Sequence, residues 1–199
     1  MKVAIVGGTG DFGLALAARL VEAGDEVVLG SRDAARAQAK AEEVGAASGA
    51  TNDDAVAGVD LVVLATNASA TLETAAALAD AIGATPVLSV ASDLRSTDHV
   101  SLAERTQELL AGPVVAGLQS LAAGKLTHGR PDEDAFVCGD DADAKALALE
   151  LASKTVAGRA LDAGPLKRAR VLEGLTGLIV SLNKRYKGHA GIRVTGLPE

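Results

Sequence analysis

Three glycines near the start of the chain have a spacing that lets the backbone approach a phosphate group. Gly8, Gly10 and Gly13 fit the pattern G-x-G-x-x-G after an apolar run at residues 3–6. In this pattern the first glycine allows a tight turn, the second admits a pyrophosphate, and the third lets helix and strand pack closely. The N–H groups of the following helix then point at the phosphates. The residues expected to bind a dinucleotide here are Gly8, Thr9, Gly10, Asp11, Phe12 and Gly13.

Two arginines follow the second apolar run and indicate which dinucleotide binds. Residues 26–29 lead into Gly30-Ser31-Arg32, and Arg36 lies four residues further on. NAD-selective sites usually carry Asp or Glu here to bind the ribose 2′-hydroxyl, whereas a guanidinium binds a 2′-phosphate. Ser31, Arg32 and Arg36 therefore predict NADP(H). In the alternative interpretation both arginines only solvate a helix surface. Asp33 lies nearby and is a candidate cap for the following helix.

Strand-like and helix-like segments alternate along the chain, which is typical of a parallel sheet with helices on both faces. We predict an α/β fold: a Rossmann-type doubly wound parallel sheet with a small C-terminal α/β part that completes the substrate cleft. Strands are predicted at 2–6, 26–29, 60–65, 86–90, 113–117, 135–138, 159–162 and 191–197, with a short one near 47–50; helices are predicted at 11–23, 33–45, 70–82, 101–110, 142–155 and 166–184. The polar loop at 127–134 divides an NADP-binding domain, residues 1–126, from the small part, residues 127–199.

Ligands of doubly wound sheets lie beyond the carboxyl ends of the strands. Small and polar residues follow three of the predicted strands and suit the lining of a nicotinamide and a second flat ligand. Thr66, Asn67 and Ala91 are expected to contact the cofactor, and Ser92, Gln119 and Ser120 the second substrate. As an alternative, any of these is an ordinary turn or N-cap residue.

Composition limits the classes of partner and compartment. The formal net charge of −7 argues against a nucleic-acid partner. A single cysteine, Cys138, excludes an internal disulfide and fits a reducing cytoplasm. The sequence shows neither a signal peptide nor an apolar run of the roughly 18–20 residues that span a bilayer. We therefore expect a cytoplasmic protein with a small-molecule substrate and no membrane contact.

The last predicted helix has an apolar stripe that indicates either core packing or a subunit interface. The stripe consists of Leu172, Leu175, Leu178, Ile179 and Leu182. A homo-oligomer, most simply a homodimer, is the hypothesis that this stripe raises. The cations that follow, Lys184, Arg185 and Lys187, suit a helix C-terminus on electrostatic grounds alone.

The histidines, the cysteine and a pair of aspartates are expected to have structural rather than catalytic roles. His99, His128 and His189 lack metal-ligand spacing, so no metal site is predicted. Cys138 lies in an apolar strand and is expected to be a core residue rather than a nucleophile. Asp140 and Asp141 precede a helix and are expected to cap it. No side chain is predicted to be catalytic.

Several short motifs are shared with a known family. They are Gly7-Gly8-Thr9-Gly10 with Gly13, Val28-Leu29-Gly30-Ser31-Arg32, Val137-Cys138-Gly139-Asp140-Asp141, Leu161-Asp162-Ala163-Gly164-Pro165-Leu166, Leu172-Glu173-Gly174-Leu175-Thr176, Leu182-Asn183-Lys184-Arg185-Tyr186 and Gly191-Ile192-Arg193-Val194-Thr195-Gly196-Leu197. Through them the chain resembles, over nearly its whole length, the NADPH-dependent reductases of coenzyme F420. The segments that follow the strands predicted at 60–65, 86–90 and 113–117 depart from the family pattern.

The resemblance implies a reversible hydride transfer between NADP(H) and the 5-deazaflavin ring of F420, in which the protein aligns two rings and excludes water. It also implies that the basic residues after the last helix are candidates to contact the acidic tail of F420. Two alternatives stay open. One is an NADPH-dependent reductase of another acceptor, such as a flavin, quinone, ferric complex or imine. The other is a non-catalytic NADP(H)-binding protein.

Overall fold

A computed structural model describes residues 1–97 and 99–197. Within these residues eight strands form one sheet: β1 Lys2–Val6, β2 Glu26–Ser31, β3 Ser48–Thr51, β4 Leu61–Leu64, β5 Val87–Ser89, β6 Val114–Gly117, β7 Ala135–Gly139 and β8 Ala160–Asp162. The helices are α1 Asp11–Glu22, α2 Ala34–Val44, α3 Asn52–Ala55, α4 Ala68–Ile82, α5 Leu102–Gln107, α6 Ala123–Thr127, α7 Ala142–Thr155 and α8 Ala169–Tyr186, the last preceded by a 3₁₀ turn at Leu166–Arg168.

The strand order confirms the predicted fold class. The order is β3-β2-β1-β4-β5-β6-β7-β8, and β1 to β6 are parallel. Strand β7 pairs antiparallel with β6, and β8 pairs parallel with β7. The carboxyl ends of β1 to β6 therefore meet at one edge of the sheet, where a ligand is expected.

Helices cover both faces of the sheet, so the central strands are apolar on both sides. Alternate residues of β1 enter different cores: Val3 and Ile5 pack with Leu16 and Leu20 of α1, whereas Ala4 and Val6 pack on the opposite face. The second core includes α4 and the start of α8. This two-sided burial fixes the register of β1, and with it the position of the glycine turn that follows.

Most predicted elements are present, and the short strand expected near 47–50 is the edge strand β3. The short helices α3 and α6 were not predicted, and the long helix predicted from residue 166 begins with a 3₁₀ turn. The strand predicted at 191–197 is wrong, because these residues join no ladder of the sheet. The segment is instead held largely through one residue, Asp134.

Asp134 is a buried anchor for the C-terminal segment. Its carboxylate accepts hydrogen bonds from the backbone N–H of Arg159 (2.8 Å) and of Val194 (2.9 Å), and it pairs with the Arg159 guanidinium at 2.8 Å. Its own N–H donates to the carbonyl oxygen of Ile192 at 2.8 Å. These bonds replace the ladder that a strand would have made. Because they stabilise the charged form, chiefly through the bond from Arg159, the pKa of Asp134 falls to about 2.

This shift predicts a specific loss of stability in acid. A lowered folded-state pKa contributes stability above the unfolded value of 3.8, and that contribution is lost as the pH falls toward about 2. Asp134→Asn should lower the free energy of unfolding at pH 7 by about 1–3 kcal/mol and flatten its dependence on pH in this window. Urea unfolding at several pH values measures both effects. An equally steep acid dependence in Asp134→Asn would assign the titration to other carboxylates.

The proposed division at residue 126 falls between β6 and β7, which are neighbours in the sheet. The two parts therefore share a sheet, and the division itself stays a prediction. No helix in residues 1–97 and 99–197 is both long and apolar enough to cross a membrane.

Candidate functional site

The glycine turn connects β1 to α1 at the carboxyl edge of the sheet. Gly8 N–H donates to the carbonyl oxygens of Ile5 and Gly30, both at 3.1 Å, so the turn lies tightly against β1 and β2. A Cβ at Gly8 would lie 2.7 Å from the Ile5 oxygen, and a Cβ at Gly13 would lie 2.8 Å from the Gly7 oxygen. Both positions therefore require glycine for packing, as the motif predicts.

Gly10 has a different environment from the other two glycines of the motif. It is the N-cap residue of α1, with an ordinary φ of −81°. A Cβ added there would meet only the Gly7 oxygen, at 3.4 Å. Gly10 lines an open cleft, so the absence of a side chain serves that cleft rather than the fold. The first-turn N–H groups of α1 have no partner within the helix and suit a phosphate beside this residue.

The cleft has a volume of about 530 Å³ and collects most of the predicted cofactor residues. Thr9, Gly10, Ser31, Arg32, Arg36, Thr66 and Asn67 line it, whereas Gly8, Asp11 and Gly13 are absent from its lining. Arg32 and Arg36 are exposed, and within residues 1–97 and 99–197 no carboxylate forms an ion pair with either. Their shared wall therefore offers two guanidinium groups to one anion.

The sequence did not identify the far wall of the cleft. Asn52 and Asp53, just after β3, also line it. The Asn52 Oδ1 atom is buried and has no hydrogen-bond partner within the described part of the chain. A buried acceptor of this kind fits a ligand that brings its own donor. The position of Asn52 and Asp53 directly after β3 could have indicated this wall, because ligands lie at the carboxyl ends of the strands. However, β3 is short and weakly apolar, so the sequence gave little basis for placing a strand and a site there.

A second, smaller cavity of about 280 Å³ lies next to the first. Thr66 and Asn67 line both, so the two cavities are adjacent along the carboxyl edge. Phe12, Ala91, Ser92 and Gln119 line the second cavity, while Ser120 is buried and absent from its lining. Its walls combine apolar surface from Val90, Leu94, Leu118 and Leu121 with a few hydroxyl and amide groups.

Thr176 of α8 joins the two polar sides of the second cavity, and sequence reasoning missed it as a site residue. Its hydroxyl donates to the carbonyl oxygen of Gln119 at 2.6 Å. Since that bond uses its single proton, the Ser92 hydroxyl, 2.8 Å away, must donate to Thr176. The lone pairs of Ser92 then remain available to a ligand. The motif Leu172–Thr176 had pointed to this helix but not to a role for Thr176.

The segment after β6 is held in an uncommon conformation at the same place. Leu118 has a φ of 68° and is buried, which is unusual for a bulky side chain. Gln119 follows, and its Nε2 donates to the Ser89 carbonyl oxygen at 3.1 Å. Gln119 Oε1 and Ser120 Oγ are buried and lack a partner within the described residues. Strain and unused polar atoms of this kind cluster at binding sites.

An ion pair on α8 holds the loop after β5 against this cavity. Glu173 is buried; it accepts a hydrogen bond from Leu102 N–H at 2.7 Å and pairs with Arg170 at 3.1 Å. Arg170 also donates to the carbonyl oxygens of Asp93 (3.1 Å) and Ser96 (2.6 Å). Burial raises the pKa of Glu173 above its ordinary value, although these donors oppose that shift. The contacts fix the loop that carries Ser92.

The remaining reactive residues lie outside the two cavities. Cys138 is fully buried, and burial raises the pKa of its thiol to about 12, so it is a core residue as expected. Asp141 caps α7 through Ala144 N–H at 2.8 Å, whereas Asp140 accepts instead from Leu166 N–H at 3.1 Å. Asp33 caps α2 through Arg36 N–H. No group of three His, Cys, Asp or Glu residues within 1–97 and 99–197 has metal-binding geometry.

This arrangement can hold a nucleotide in the first cavity and bring its reactive end beside a second flat molecule. The hydroxyl and amide groups of the second cavity can orient a polar ring edge. Among the described residues that line the second cavity there is no Asp, Glu, His, Lys, Arg, Cys or Tyr side chain. The site is therefore suited to a reaction whose chemistry resides in its two ligands.

Comparison with known proteins gives consistent results. Residues 2–93 match the family described as NADP oxidoreductase, coenzyme F420-dependent. The F420-dependent NADP reductase of Methanothermobacter thermautotrophicus is 38% identical, over 100% of this chain and 97% of that protein. A crystal structure assigned as an F420-dependent NADP reductase from Arthrobacter sp. FB24 has a TM-score of 0.85 at 27% identity, over 98% of this chain and 100% of that one. An imine reductase from Aspergillus terreus shares the fold (TM-score 0.73, 20% identity), over 94% of this chain and 63% of that one.

Proposed function

Because this chain belongs to the family of F420-dependent NADP oxidoreductases, we propose that it transfers a hydride reversibly between NADP(H) and the deazaflavin ring of F420. The observation that carries this proposal is the adjacency of the two cavities, which share Thr66 and Asn67 in their linings. One cavity has the cations and the glycine turn that suit a phosphorylated dinucleotide. The other offers a partly apolar space of the kind that a flat ring requires.

The residues present fit NADP. The guanidinium groups of Arg32 and Arg36, which form no ion pair with a carboxylate of the described residues, lie where a 2′-phosphate is expected, and Ser31 is beside them. The open space at Gly10 allows a pyrophosphate to approach the start of α1. In the proposal the cofactor residues are Gly8, Thr9, Gly10, Asp11, Phe12, Gly13, Ser31, Arg32, Arg36, Thr66, Asn67 and Ala91. The residues proposed for the second substrate are Ser92, Gln119 and Ser120, of which Ser120 is buried and does not line the second cavity.

The chemistry belongs to the two bound molecules: hydride passes between the nicotinamide C4 and the deazaflavin C5. The protein orients them. Phe12 and Leu118 supply apolar walls that exclude water from the transfer. Thr176 directs the acceptor lone pairs of Ser92 toward a polar ring edge. Holding two rings in transfer geometry converts a bimolecular encounter into an intramolecular step, which lowers the barrier by several kcal/mol.

The test is oxidation of NADPH with and without purified F420, followed through the deazaflavin absorbance band, with NADH in parallel. The proposal expects bleaching that depends on both NADPH and the protein. Tight NADPH binding without bleaching would assign another acceptor or a binding role. The comparisons do not favour those two alternatives, since the imine reductase likeness at 20% identity reflects the fold alone.

Replacing Thr176 should separate ring alignment from cofactor binding. Thr176→Val keeps the shape but removes both hydroxyl contacts, so kcat/KM for F420 should fall about tenfold while the Kd for NADPH changes less than twofold. Thr176→Ser retains the hydroxyl and should restore most of the activity. Steady-state kinetics and NADPH fluorescence titration measure the two quantities. Wild-type kcat/KM for F420 in Thr176→Val, or full impairment of Thr176→Ser with Thr176→Val active, would show that packing of the methyl group matters and the hydroxyl does not.

We also propose that residues 127–199 act as a small part that completes the cleft, and that the protein is a homodimer. The contribution of Thr176 to the second cavity supports the first point. For the second, Leu172 and Ile179 are buried in the core, whereas Val171 and Leu178, seven residues apart and therefore on one side of α8, leave more than half of their surface exposed. A second copy would cover that apolar surface. Light scattering that detects only a 19.9 kDa species would contradict the homodimer.

We further propose a cytoplasmic protein with small-molecule partners. The free, buried Cys138 supports a cytoplasmic location, and the net charge of −7 supports small-molecule partners rather than nucleic acid.

A further inference from the structure

The cleft of about 530 Å³ extends beyond the residues that the phosphates of NADP require. The rest of its lining comes from the residues after β3 and from one side of α4. On α4, residues 73 and 77, like 74 and 78, are four positions apart and therefore share one side of the helix. These further lining residues are Asn52, Asp53, Glu73, Thr74, Ala77 and Leu78. Neither the glycine turn nor the arginines explain them.

This end of the cleft lies where the base of the dinucleotide is expected. In NADP(H) the adenine is joined to the ribose that carries the 2′-phosphate, so the base must lie close to the groups that bind this phosphate. A Cβ at Gly30 would lie 2.9 Å from Asn52 Oδ1, so the Asn52 amide lies against the end of β2, directly before Ser31 and Arg32. Because the nicotinamide half is assigned to the second cavity, the end beside Asn52 is left for the adenosine half.

The lining at this end combines apolar surface with hydrogen-bond acceptors. Ala77 and Leu78 supply the apolar surface, which suits the face of a flat ring. Asp53 and Glu73 are exposed, and neither side chain forms a hydrogen bond or an ion pair within the described part of the chain. The Asn52 Oδ1 atom is buried and also lacks a partner there. Three acceptor groups are therefore available to a donor on the ligand.

Two carboxylates in a cleft that suits a polyanion need a specific role. Among the described residues no ion pair joins Asp53 or Glu73 to either arginine of the cleft. A carboxylate repels a nearby phosphate, and this cost is offset when the carboxylate accepts a hydrogen bond from the same ligand. The adenosine half of NADP(H) has two donor groups, a 3′-hydroxyl with one proton and the 6-amino group with two. Three acceptors exceed what the hydroxyl can serve, so the amino group is the donor that fits them.

We propose that Asn52, Asp53 and Glu73 determine base specificity by accepting hydrogen bonds from the 6-amino group of adenine. The inference rests on the proposed function, because it requires NADP(H) in the cleft, and it deepens that function by naming the base as a recognised part of the cofactor. A purine with an oxygen at position 6 presents an acceptor to these acceptors and is disfavoured. The apolar surface of Ala77 and Leu78 contacts either base equally, so it contributes affinity without selectivity.

Fluorescence titration with NADPH and with its hypoxanthine analogue, in which an oxygen replaces the 6-amino group, tests the proposal. Both carry the reduced nicotinamide, so one signal measures both affinities. Wild-type protein should bind NADPH about tenfold more tightly than the analogue. A double variant, Asp53→Asn with Glu73→Gln, keeps the side-chain sizes and removes no hydrogen bond of the fold. Its amides can donate as well as accept, so the affinity ratio should fall to within about twofold of one.

Two controls separate recognition of the base from the effect of charge. Asp80→Asn with Glu108→Gln removes the same number of carboxylates from exposed positions that do not line the cleft. This variant should keep the wild-type ratio. Arg32→Ala should weaken the binding of both dinucleotides and also keep their ratio, because both carry the 2′-phosphate. The ratio therefore depends on the base alone.

Equal affinity of the wild-type protein for the two dinucleotides would overturn the proposal. The same holds if the Asp53→Asn, Glu73→Gln variant keeps the tenfold ratio, or if the Asp80→Asn, Glu108→Gln control loses it. Reduction of F420 by NADPH is measured separately. If F420 is not reduced, the proposed function fails, whereas the affinity ratio still decides whether the cleft recognises adenine. If neither dinucleotide binds, both fail together.

Discussion

Gly10→Val should reduce the affinity for NADPH at least about 100-fold, which corresponds to about 2.7 kcal/mol, while the protein stays folded. The reason lies in the contrast among the three glycines of the turn. A side chain at Gly8 or Gly13 would collide with backbone atoms at 2.7–2.8 Å, so a loss of binding there would be confused with a loss of the fold. A Cβ added at Gly10 would meet, among the described residues outside its own chain neighbours, the Gly7 oxygen alone, at 3.4 Å. The φ angle of Gly10 is −81°, which a side chain tolerates.

The added side chain at position 10 therefore projects into the cleft, where the pyrophosphate must approach the start of α1. NADPH fluorescence titration measures the affinity, and thermal unfolding without ligand verifies the fold. Gly188→Val is the matched control, because a Cβ at Gly188 meets nothing within 4 Å and lies away from the cleft. Wild-type affinity in Gly10→Val, with both proteins folded, would remove the glycine turn from the proposed site.

The sequence predicted the site residues that lie close together along the chain and missed those that meet only through the fold. The glycine turn and the arginines are local signals, since the residues that act together lie within about thirty positions and their spacing reflects one β-α-β unit. The fold class was equally accessible, because apolar strands alternate with amphipathic helices along the chain. Asp33 and Asp141 are likewise local caps that the structure confirms.

Thr176 is the contrasting case. It meets Ser92 and Gln119 only because α8 crosses the carboxyl edge of the sheet, and it is 84 residues from Ser92 in the chain. Nothing in the local pattern Gly174-Leu175-Thr176 distinguishes a site residue from a helix-surface threonine. The same holds for Asn52, whose place in the cleft depends on an edge strand, β3, that pairs with β2 alone.

The error at 191–197 has a related cause. A short apolar segment forms a strand only when its backbone pairs with a neighbouring strand. The outer edge of β8 has no partner strand within the described sheet, but residues 191–197 bind to the side chains of Asp134 and Arg159 instead of extending the ladder. One buried carboxylate supplies the hydrogen bonds that a strand would have taken from its partner, and the sequence gives no indication of that substitution.

Arg32→Ala should raise the KM for NADPH by about 10- to 150-fold and leave the KM for NADH nearly unchanged. A charge-assisted contact to the 2′-phosphate contributes about 1.5–3 kcal/mol, and NADH lacks that phosphate. Arg36→Ala should have a smaller effect in the same direction, because Arg32 remains on the shared wall of the cleft. The difference between the two cofactors is therefore the decisive quantity, rather than the absolute loss.

Lys40→Ala is a suitable control for this pair of variants. Lys40 lies on α2 one turn beyond Arg36, but it is ion-paired with Glu43 and does not line the cleft. Its loss should leave the KM values for NADPH and NADH near those of the wild type. If Arg32→Ala impairs both cofactors equally, the guanidinium stabilises the loop after β2 instead of reading the 2′-phosphate. In that case selectivity for NADP must come from Ser31, Arg36 or the Asn52 wall, and the corresponding variants would show which of them carries it.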